Sequence, residues 1–447
     1  MTFEQESFRI LVESLTILEQ GFDRLPDLDS EVDVAAMRAV LAETAERLRD
    51  NDPYHHPLYT GQMLKPPHPI ARAAYALAMC LNPNNHALDG GRATSAMEKE
   101  AVARLASMFG WETHLGHLTG GGTMANFEAL WVGRELRPGK AVAASAQAHY
   151  THSRLSEVLA VPFRKIPVDP LGRLDPVELE TILRRGEVGT VVVTLGTTAA
   201  GAVDPLPDVL ALRDRYDFRI HVDAAYGGYF RIAGNLVPLA REAFDRIGEV
   251  DSIVIDPHKH GLQPYGCGCV LFRDPTVGRF YRHDSPYTYF SSNELHLGEI
   301  SLECSRAGAS AAALWATIRL LPPEPGGVFA RGLESCREAA LALHAALEAD
   351  DRFAPLFPPA LDIVVWAVRA GSATESSARA RRIFEAAARR DLHLALATFP
   401  RSMIAPADPV SDWDADRMVC LRACAMKPEH REWMPEILKR LHAAADA

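Results

Sequence analysis

The sequence predicts an α/β fold: a large domain built on a mostly parallel sheet, an N-terminal helical arm and a small C-terminal α+β domain. Three observations carry this. Short apolar runs rich in Val and Ile recur between about residues 95 and 275, helical stretches separate them, and beyond Pro355 the pattern changes to two strand-like runs with helices between and after. The first set of runs is AVAAS (141–145), TVVVTL (190–195), FRIHVD (218–223), SIVID (252–256) and CGCVLF (267–272). A strand covered on both faces has no polar side to alternate with, so unbroken apolar runs of this length read as parallel strands between two layers of helix.

Before the sheet, residues 5 to 50 carry apolar positions near the helical period, in SFRILVESLTILEQ and in DVAAMRAVLAETAERLRD, where Asp33 is a candidate N-cap. The stretch NDPYHHPLYTGQMLKPPHP holds Pro53, Pro57, Pro66, Pro67 and Pro69, which exclude regular helix and leave an extended segment able to cross a surface and contribute to a site. After the sheet, residues 308 to 345 read as helical. LDIVVWAV (361–368), SARARRIFEAAARRD (377–391), MVCLRA (418–423) and a final helix make up the smaller α+β domain. The resulting boundaries are 1–80 for the arm, 81–310 for the large domain, and 311–447 for a helical linker with the small domain.

Composition bounds the function. A chain of 447 residues, 48% hydrophobic and 23% charged, can bury a large core. Its net charge of −11 argues against nucleic acid or an anionic membrane as partner. The N-terminal MTFEQESFRILVESL lacks the basic start and apolar stretch of a secretory signal, and no run is long enough to span a bilayer, so a cytoplasmic protein is expected. Seven scattered cysteines do not form a disulfide framework. The pairs Cys267/Cys269 and Cys420/Cys424 lie in apolar strand-like surroundings and are expected as small core residues; no metal site is expected.

Four polar clusters follow the apolar runs, where an open α/β sheet binds its ligands. Thr119-Gly120-Gly121-Gly122-Thr123 precedes an apolar helix, which suits either a phosphate cradle, with Thr123 as hydroxyl donor, or a tight turn. The strand Ile220-His221-Val222 ends in Asp223, either a turn residue or a buried acid with a cationic partner such as a protonated pyridine nitrogen. In Asp256-Pro257-His258-Lys259-His260 a lysine follows a buried strand, either solvated or desolvated enough to form an imine with an aldehyde. His149, within Ser145–Ser153, is either a loop histidine or a flat ring that stacks on a heteroaromatic group. Together and in this order they form a binding kit for pyridoxal 5'-phosphate (PLP).

The segments HVDAAYGG, DPHKHG, SAQAHYTHS, TGGGTMAN, TLGTTAAGAVDP, NPNNHALDGGRATSAMEKE and LECSRAGASAAALW resemble fold-type I PLP enzymes of the group II amino-acid decarboxylase family. The segment DPHKHGLQPYGCGCVLFRD around Lys259 looks closer to the tyrosine/aspartate decarboxylases and the sphingosine-phosphate lyases than to the aromatic-amino-acid decarboxylases. The resemblance implies the type I PLP-dependent transferase fold and decarboxylation of an L-amino acid to the amine and CO2, through a Lys259 aldimine and a quinonoid. It implies that Asp223 pairs with the pyridinium, that Ala225 packs against the ring and that His149 stacks on its other face. Gly121, Gly122 and Thr123 would hold the phosphate with His258 near, Thr197 or Thr198 would lie near the ring, and Ser305 would approach the cofactor from the subunit interface. Tyr287 and Tyr289, in HDSPYTYFSSNE (283–294), are candidate proton donors. Tyr59, Gln62, His86 and Arg422 are candidate substrate contacts, Arg422 as a carboxylate clamp. A homodimer with composite sites is expected. The rivals are other PLP chemistry on the same fold (aldehyde-lyase, transaminase or aldehyde synthase) and a PLP-binding protein without turnover.

Overall fold

The computed structural model describes residues 5–26, 32–86, 88–281 and 301–447. Helices α1 (Gln5–Gln20) and α2 (Val34–Leu48) lead the chain, and Asp33 caps α2 by accepting from Ala36 N at 2.9 Å. The proline-rich segment follows without regular structure, and α3 (Pro69–Met79) and α4 (Leu88–Met108), kinked at Gly91, lead into the sheet. The large layer then alternates: β1 (Leu115–Thr119), α5 (Gly122–Leu136), β2 (Ala141–Ser145), α6 (Thr151–Val158), β3 (Phe163–Ile166), α7 (Pro176–Leu183), β4 (Val188–Thr194), α8 (Leu206–Arg213), β5 (Arg219–Asp223), α9 (Pro238–Asp245), β6 (Ser252–Ile255) and β7 (Gly268–Phe272).

These seven strands form one sheet in the order β1-β7-β6-β5-β4-β2-β3, in which β7 runs antiparallel to both its neighbours and the pairs from β6 to β3 are parallel. Val191, Val192 and Val193 are fully buried in succession, as are Ile253, Val254 and Ile255, so both faces of the sheet are covered. Each such side chain contributes roughly 1.5–3 kcal/mol by leaving water. The sheet therefore supplies a rigid edge for the loops at its carboxyl ends.

The helical stretch expected over 308–345 is two helices, α10 (Gly308–Leu320) and α11 (Val328–Glu348). Pro322, Pro323 and Pro325 lie between them and cannot donate the backbone bonds that would join the two. Then come β8 (Phe353–Pro355), β9 (Ile363–Val368), β10 (Ala370–Ser372), α12 (Ala373–Ala388), β11 (Ala395–Pro400), α13 (Arg401–Ile404), β12 (Val410–Asp412), β13 (Arg417–Cys424) and α14 (His430–Ala445). An antiparallel sheet β11-β13-β9-β8 packs against α11, α12 and α14 around fully buried Trp366. Among the described residues no helix is long and apolar enough to cross a membrane.

Two close approaches fix the loops over the large sheet. Gly121 adopts φ +148°, and a Cβ on Gly268 of β7 would lie 2.6 Å from its carbonyl carbon. A Cβ on Gly227, just past β5, would meet the Leu195 carbonyl oxygen at 2.2 Å. Only glycine permits either contact.

Buried polar groups tie the layers together and set the pH response of the fold. His221 joins β5 to Ser252 of β6 (2.9 Å) and to Asn126 of α5 (2.8 Å), and burial pushes it down to about 3. His430, at the start of α14, is likewise pushed down to about 3 by burial and by the charge of Lys427. In the unfolded chain both titrate near 6.5, so protons bind the unfolded state first and stability, full above about pH 6.5, falls as the pH drops toward 3. Buried Asp204, which accepts from Leu174 N and Thr194 N, is pushed up to about 7 and acts in the opposite sense between about pH 4 and 7, one group against two. Melting curves are expected to show a lower Tm at pH 5 than at pH 7, with about 2 kcal/mol lost per histidine, and a smaller drop in His221→Gln. An unchanged or higher Tm at pH 5 contradicts this account.

Candidate active site

The carboxyl ends of the parallel strands open onto a cavity of about 600 Å³. Gly120, Gly121, Gly122, Thr123, His149, Thr198, Asp223, Ala225, Asp256, His258, Lys259 and Glu303 all line it. Four clusters separated by up to 140 positions in sequence thus converge because β1, β2, β5 and β6 end at one edge.

Lys259 sits in the turn after β6, its side chain 22% exposed and its Nζ 3.2 Å from Asp256 Oδ2. The turn is held by the bonds His258 N to Cys267 O (3.1 Å) and Lys259 N to Asp256 O (2.9 Å). Asp256 itself is 2% exposed and lies under the glycine loop, where a Cβ on Gly122 would strike its Oδ2 at 2.7 Å. His258 rests its ring near Tyr265, and burial pushes it down.

Asp223 ends β5 and is 5% exposed. Its Oδ2 pairs with His152 Nε2 at 2.8 Å and its Oδ1 accepts from Ala225 N at 3.1 Å. Burial pushes this carboxyl up, but the His152 hydrogen bond and charge, Lys259 and the Ala225 amide together outweigh it and hold Asp223 below the usual carboxylate range. His152 was not singled out from the sequence. Its signal was a second histidine three residues after His149, in the first turn of α6 and so directed at the same sheet edge. His149 itself meets Thr151 Oγ1 at 2.5 Å, and burial pushes it down.

The cradle is the amino end of α5. The first amides of a helix have no intrahelical acceptor and carry its positive dipole end. Just ahead of the helix, Glu303 Oε2 accepts from Gly120 N at 2.8 Å. Asp256 and Glu303, 47 positions apart, carry no local pattern that marks them, and only the folded loop brings them to one cavity.

Other expected residues lie elsewhere. Thr197 is fully buried with its hydroxyl accepting from Ala202 N at 3.0 Å, so Thr198, not Thr197, faces the cavity. Ser305 bonds Asn84 Nδ2 at 3.1 Å and does not line the cavity of its own chain. Arg422 is 4% exposed and donates to the carbonyls of Thr198 (2.8 Å) and Gly61 (3.3 Å), which makes it a brace between segments and not an open carboxylate clamp. Tyr59, 4% exposed, accepts from Gln62 N through its hydroxyl at 3.2 Å, and its backbone pairs with His393, so the arm adds to its own chain's small sheet. His86 donates its amide to Asn84 Oδ1 at 3.0 Å. None of Tyr59, Gln62, His86 or Arg422 lines the cavity. Tyr287 and Tyr289 lie outside the described residues.

These residues fit PLP: an amine for its aldehyde, an ionised acid with lone pairs left for its ring nitrogen, and a helix terminus for its phosphate. Fold and site together define a fold-type I PLP enzyme. The pyridoxal-dependent decarboxylase conserved domain matches residues 133–369, and the chain belongs to that family, a group of PLP-dependent carboxy-lyases. It is 31% identical over 387 residues to L-tyrosine decarboxylase of Enterococcus faecium, covering 64% of this chain and 63% of that protein. It is also 32% identical over 267 residues to a probable L-aspartate decarboxylase of Halobacterium salinarum, covering 59% and 71%. The crystal structure of Oryza sativa TDC with PLP and tryptamine superposes with a TM-score of 0.76 at 19% identity, covering 99% of each chain, which shows the shared fold.

His152→Ala leaves Asp223 buried without its main donor. Turnover is expected to fall about 10- to 100-fold, in line with the 1–3 kcal/mol of an unsatisfied buried partner, with the far-ultraviolet circular dichroism unchanged. Wild-type turnover in this variant would show that Asp223 does not depend on His152.

Proposed function

We propose that this chain decarboxylates an L-amino acid to the amine and CO2, with PLP anchored on Lys259. The observation that carries this is the convergence of Lys259, the Asp223–His152 pair and the α5 amino end on one cavity. Bound there, the cofactor supplies an electron sink for the bond to the departing carboxylate. The chain's own residues do the rest. Asp223 would keep the ring nitrogen protonated, and the amides of Gly121, Gly122 and Thr123 would hold the phosphate. His149, kept neutral by burial, offers a flat face at the cavity wall. The Lys259 Nζ proton has Asp256 Oδ2 as its neighbour at 3.2 Å, a pair able to hold and return a proton.

Charge favours a substrate side chain without a second carboxylate. Asp223, Asp256 and Glu303 line the cavity, Lys259 is the one lysine or arginine among its described lining residues, and Arg422 is engaged by carbonyls. Met124, Phe127 and Leu155 supply apolar wall. Of the two relatives' named substrates, tyrosine suits this better than aspartate.

The proposal includes a homodimer. Helices α1 and α2 bury none of their described residues and expose Phe8, Val12, Ile17, Val40 and Leu41, an apolar surface that a second copy would cover. Seven free cysteines accord with a reducing compartment such as the cytoplasm.

The test is incubation of the holoenzyme with the common L-amino acids and mass spectrometry of the products, with borohydride reduction to fix the cofactor. Amine from L-tyrosine, none from L-aspartate, and label on Lys259 are expected. Keto acid or aldehyde as the main product assigns the chain to transaminase or aldehyde synthase chemistry, and absence of any product leaves PLP binding without turnover. Light scattering is expected to give a dimer, and a fully active monomer overturns that part.

A further inference from the structure

A second cavity, of about 390 Å³, lies behind the Lys259 turn. Its walls come from the end of the arm (Lys65, Pro66, Pro67), the back of the turn (His260, Leu262), the first turns of α11 (Phe329, Gly332, Leu333) and the Lys427–Glu429 corner before α14. It shares no lining residue with the first cavity.

The chemistry of its lining is anion-seeking. Lys427 is 3% exposed and donates to the Tyr59 carbonyl at 2.7 Å, and Lys65 donates to the Met426 carbonyl at 3.4 Å. Neither has a carboxylate within 4.0 Å among the described residues, where the lysine ion pairs are those of Lys259 and Lys439. Nearby Asp362 accepts from Tyr226 at 2.6 Å through one oxygen and turns the other toward His260 Nε2 at 3.2 Å, and Glu429 on the rim is exposed. Burial pushes Lys427 down to about 8 and half-buried Lys65 down as well, outweighing the opposing charges of Glu429 and, for Lys65, Asp362. Two long helices, α11 and α14, begin at this cavity, adding the positive ends of their dipoles. His260 is fully buried on its wall, and neither of its ring nitrogens has a hydrogen-bond partner among the described residues. Apart from His55 and His68, the remaining surface is apolar, with Pro66, Pro67, Leu262, Leu321, Phe329 and Leu333.

We propose that this second cavity is a binding site for a small organic carboxylate with an apolar body, its carboxylate bridging Lys65 and Lys427 and its body lying against Phe329, Leu333 and Leu262. A bare inorganic anion would leave the apolar walls unfilled, and a neutral apolar molecule would leave the two lysines with only carbonyl partners for their charge. The site is also mechanically linked to the first. His260 follows Lys259 directly, and the Leu262 carbonyl accepts from His68 N of the arm at 2.9 Å, so an occupant braces the turn that carries the lysine from behind.

The probe is 3-phenylpropionate, titrated calorimetrically into holoenzyme, with 3-phenylpropanamide and inorganic phosphate as comparisons. One saturable site per chain is expected for the carboxylate, with no saturation by the amide or by phosphate. Lys65→Met removes one charge at similar length and is expected to weaken binding at least tenfold, the effect of one charge-assisted hydrogen bond. Gly332→Leu keeps both charges and fills the space; its Cβ would meet Pro428 Cγ at an ordinary 3.5 Å, so the fold tolerates it while binding is lost. Lys259→Ala leaves this cavity intact and is expected to bind the probe normally, so the result stands whatever the catalytic assignment. No saturation at millimolar probe, binding unaffected by Lys65→Met and Gly332→Leu, equal binding of the amide, or saturable binding of phosphate would each overturn the proposal.

Discussion

The constraint on which the rest of the site depends is a buried carboxylate. Asp223 stands at the end of the central strand β5 with almost no exposure, where burial alone would drive it to its neutral form. The fold keeps it ionised by placing His152 against one oxygen and the Ala225 amide against the other. That places demands on three neighbouring elements. Helix α6 must begin at Thr151 so that its first turn carries His152 to the sheet edge. The chain must turn sharply after β5, which is why Gly227 passes so close to Leu195. Beneath these, His221 locks β5 to β6 and α5, so the strand that presents the acid cannot shift without disturbing the helix that presents the cradle.

The second constraint is the junction between the two sheets. Few apolar contacts would fix the angle between a parallel sheet and a small antiparallel one as closely as buried polar bonds do, because each such bond is costly to leave unmade. Here Tyr226, immediately before the Gly227–Gly228 turn, bonds Asp362 just ahead of β9 in the small sheet, and Asp362 also faces His260 beside Lys259. Arg422 reaches from the small sheet to the Thr198 carbonyl at the cavity, and Lys427 holds the Tyr59 carbonyl of the arm. The arm is thereby fastened to the small sheet at Tyr59 and Thr60 and to the lysine turn at His68. Movement of any one of the three segments must be felt by the other two.

This explains what was legible in the sequence and what was not. β2 matches the run AVAAS residue for residue, and Asp33 caps α2 as expected, because a buried strand and a helix start are written in local composition. β1, β3 and β11 were not seen. LGHLT and FRKI are short and carry Gly, His, Arg or Lys, and their strand character comes from pairing with β7 and β2 and not from their own pattern. The site shows the same division. The convergence of Lys259, Asp223, His149 and the glycine loop on one cavity could be anticipated, because three of them directly follow an apolar strand-like run and the fourth opens a helix. Thr197 and Thr198 could not be told apart, since which of two adjacent threonines faces a cavity is decided by the Gly196–Gly201 turn, where Thr197 is drawn inward by Ala202 N. The contacts of Arg422 are likewise set by tertiary structure. An arginine at the end of a strand in the small domain has the donors to clamp a carboxylate, but the loop from the other sheet brings a backbone carbonyl to it first, and a buried guanidinium takes the acceptor that the fold supplies.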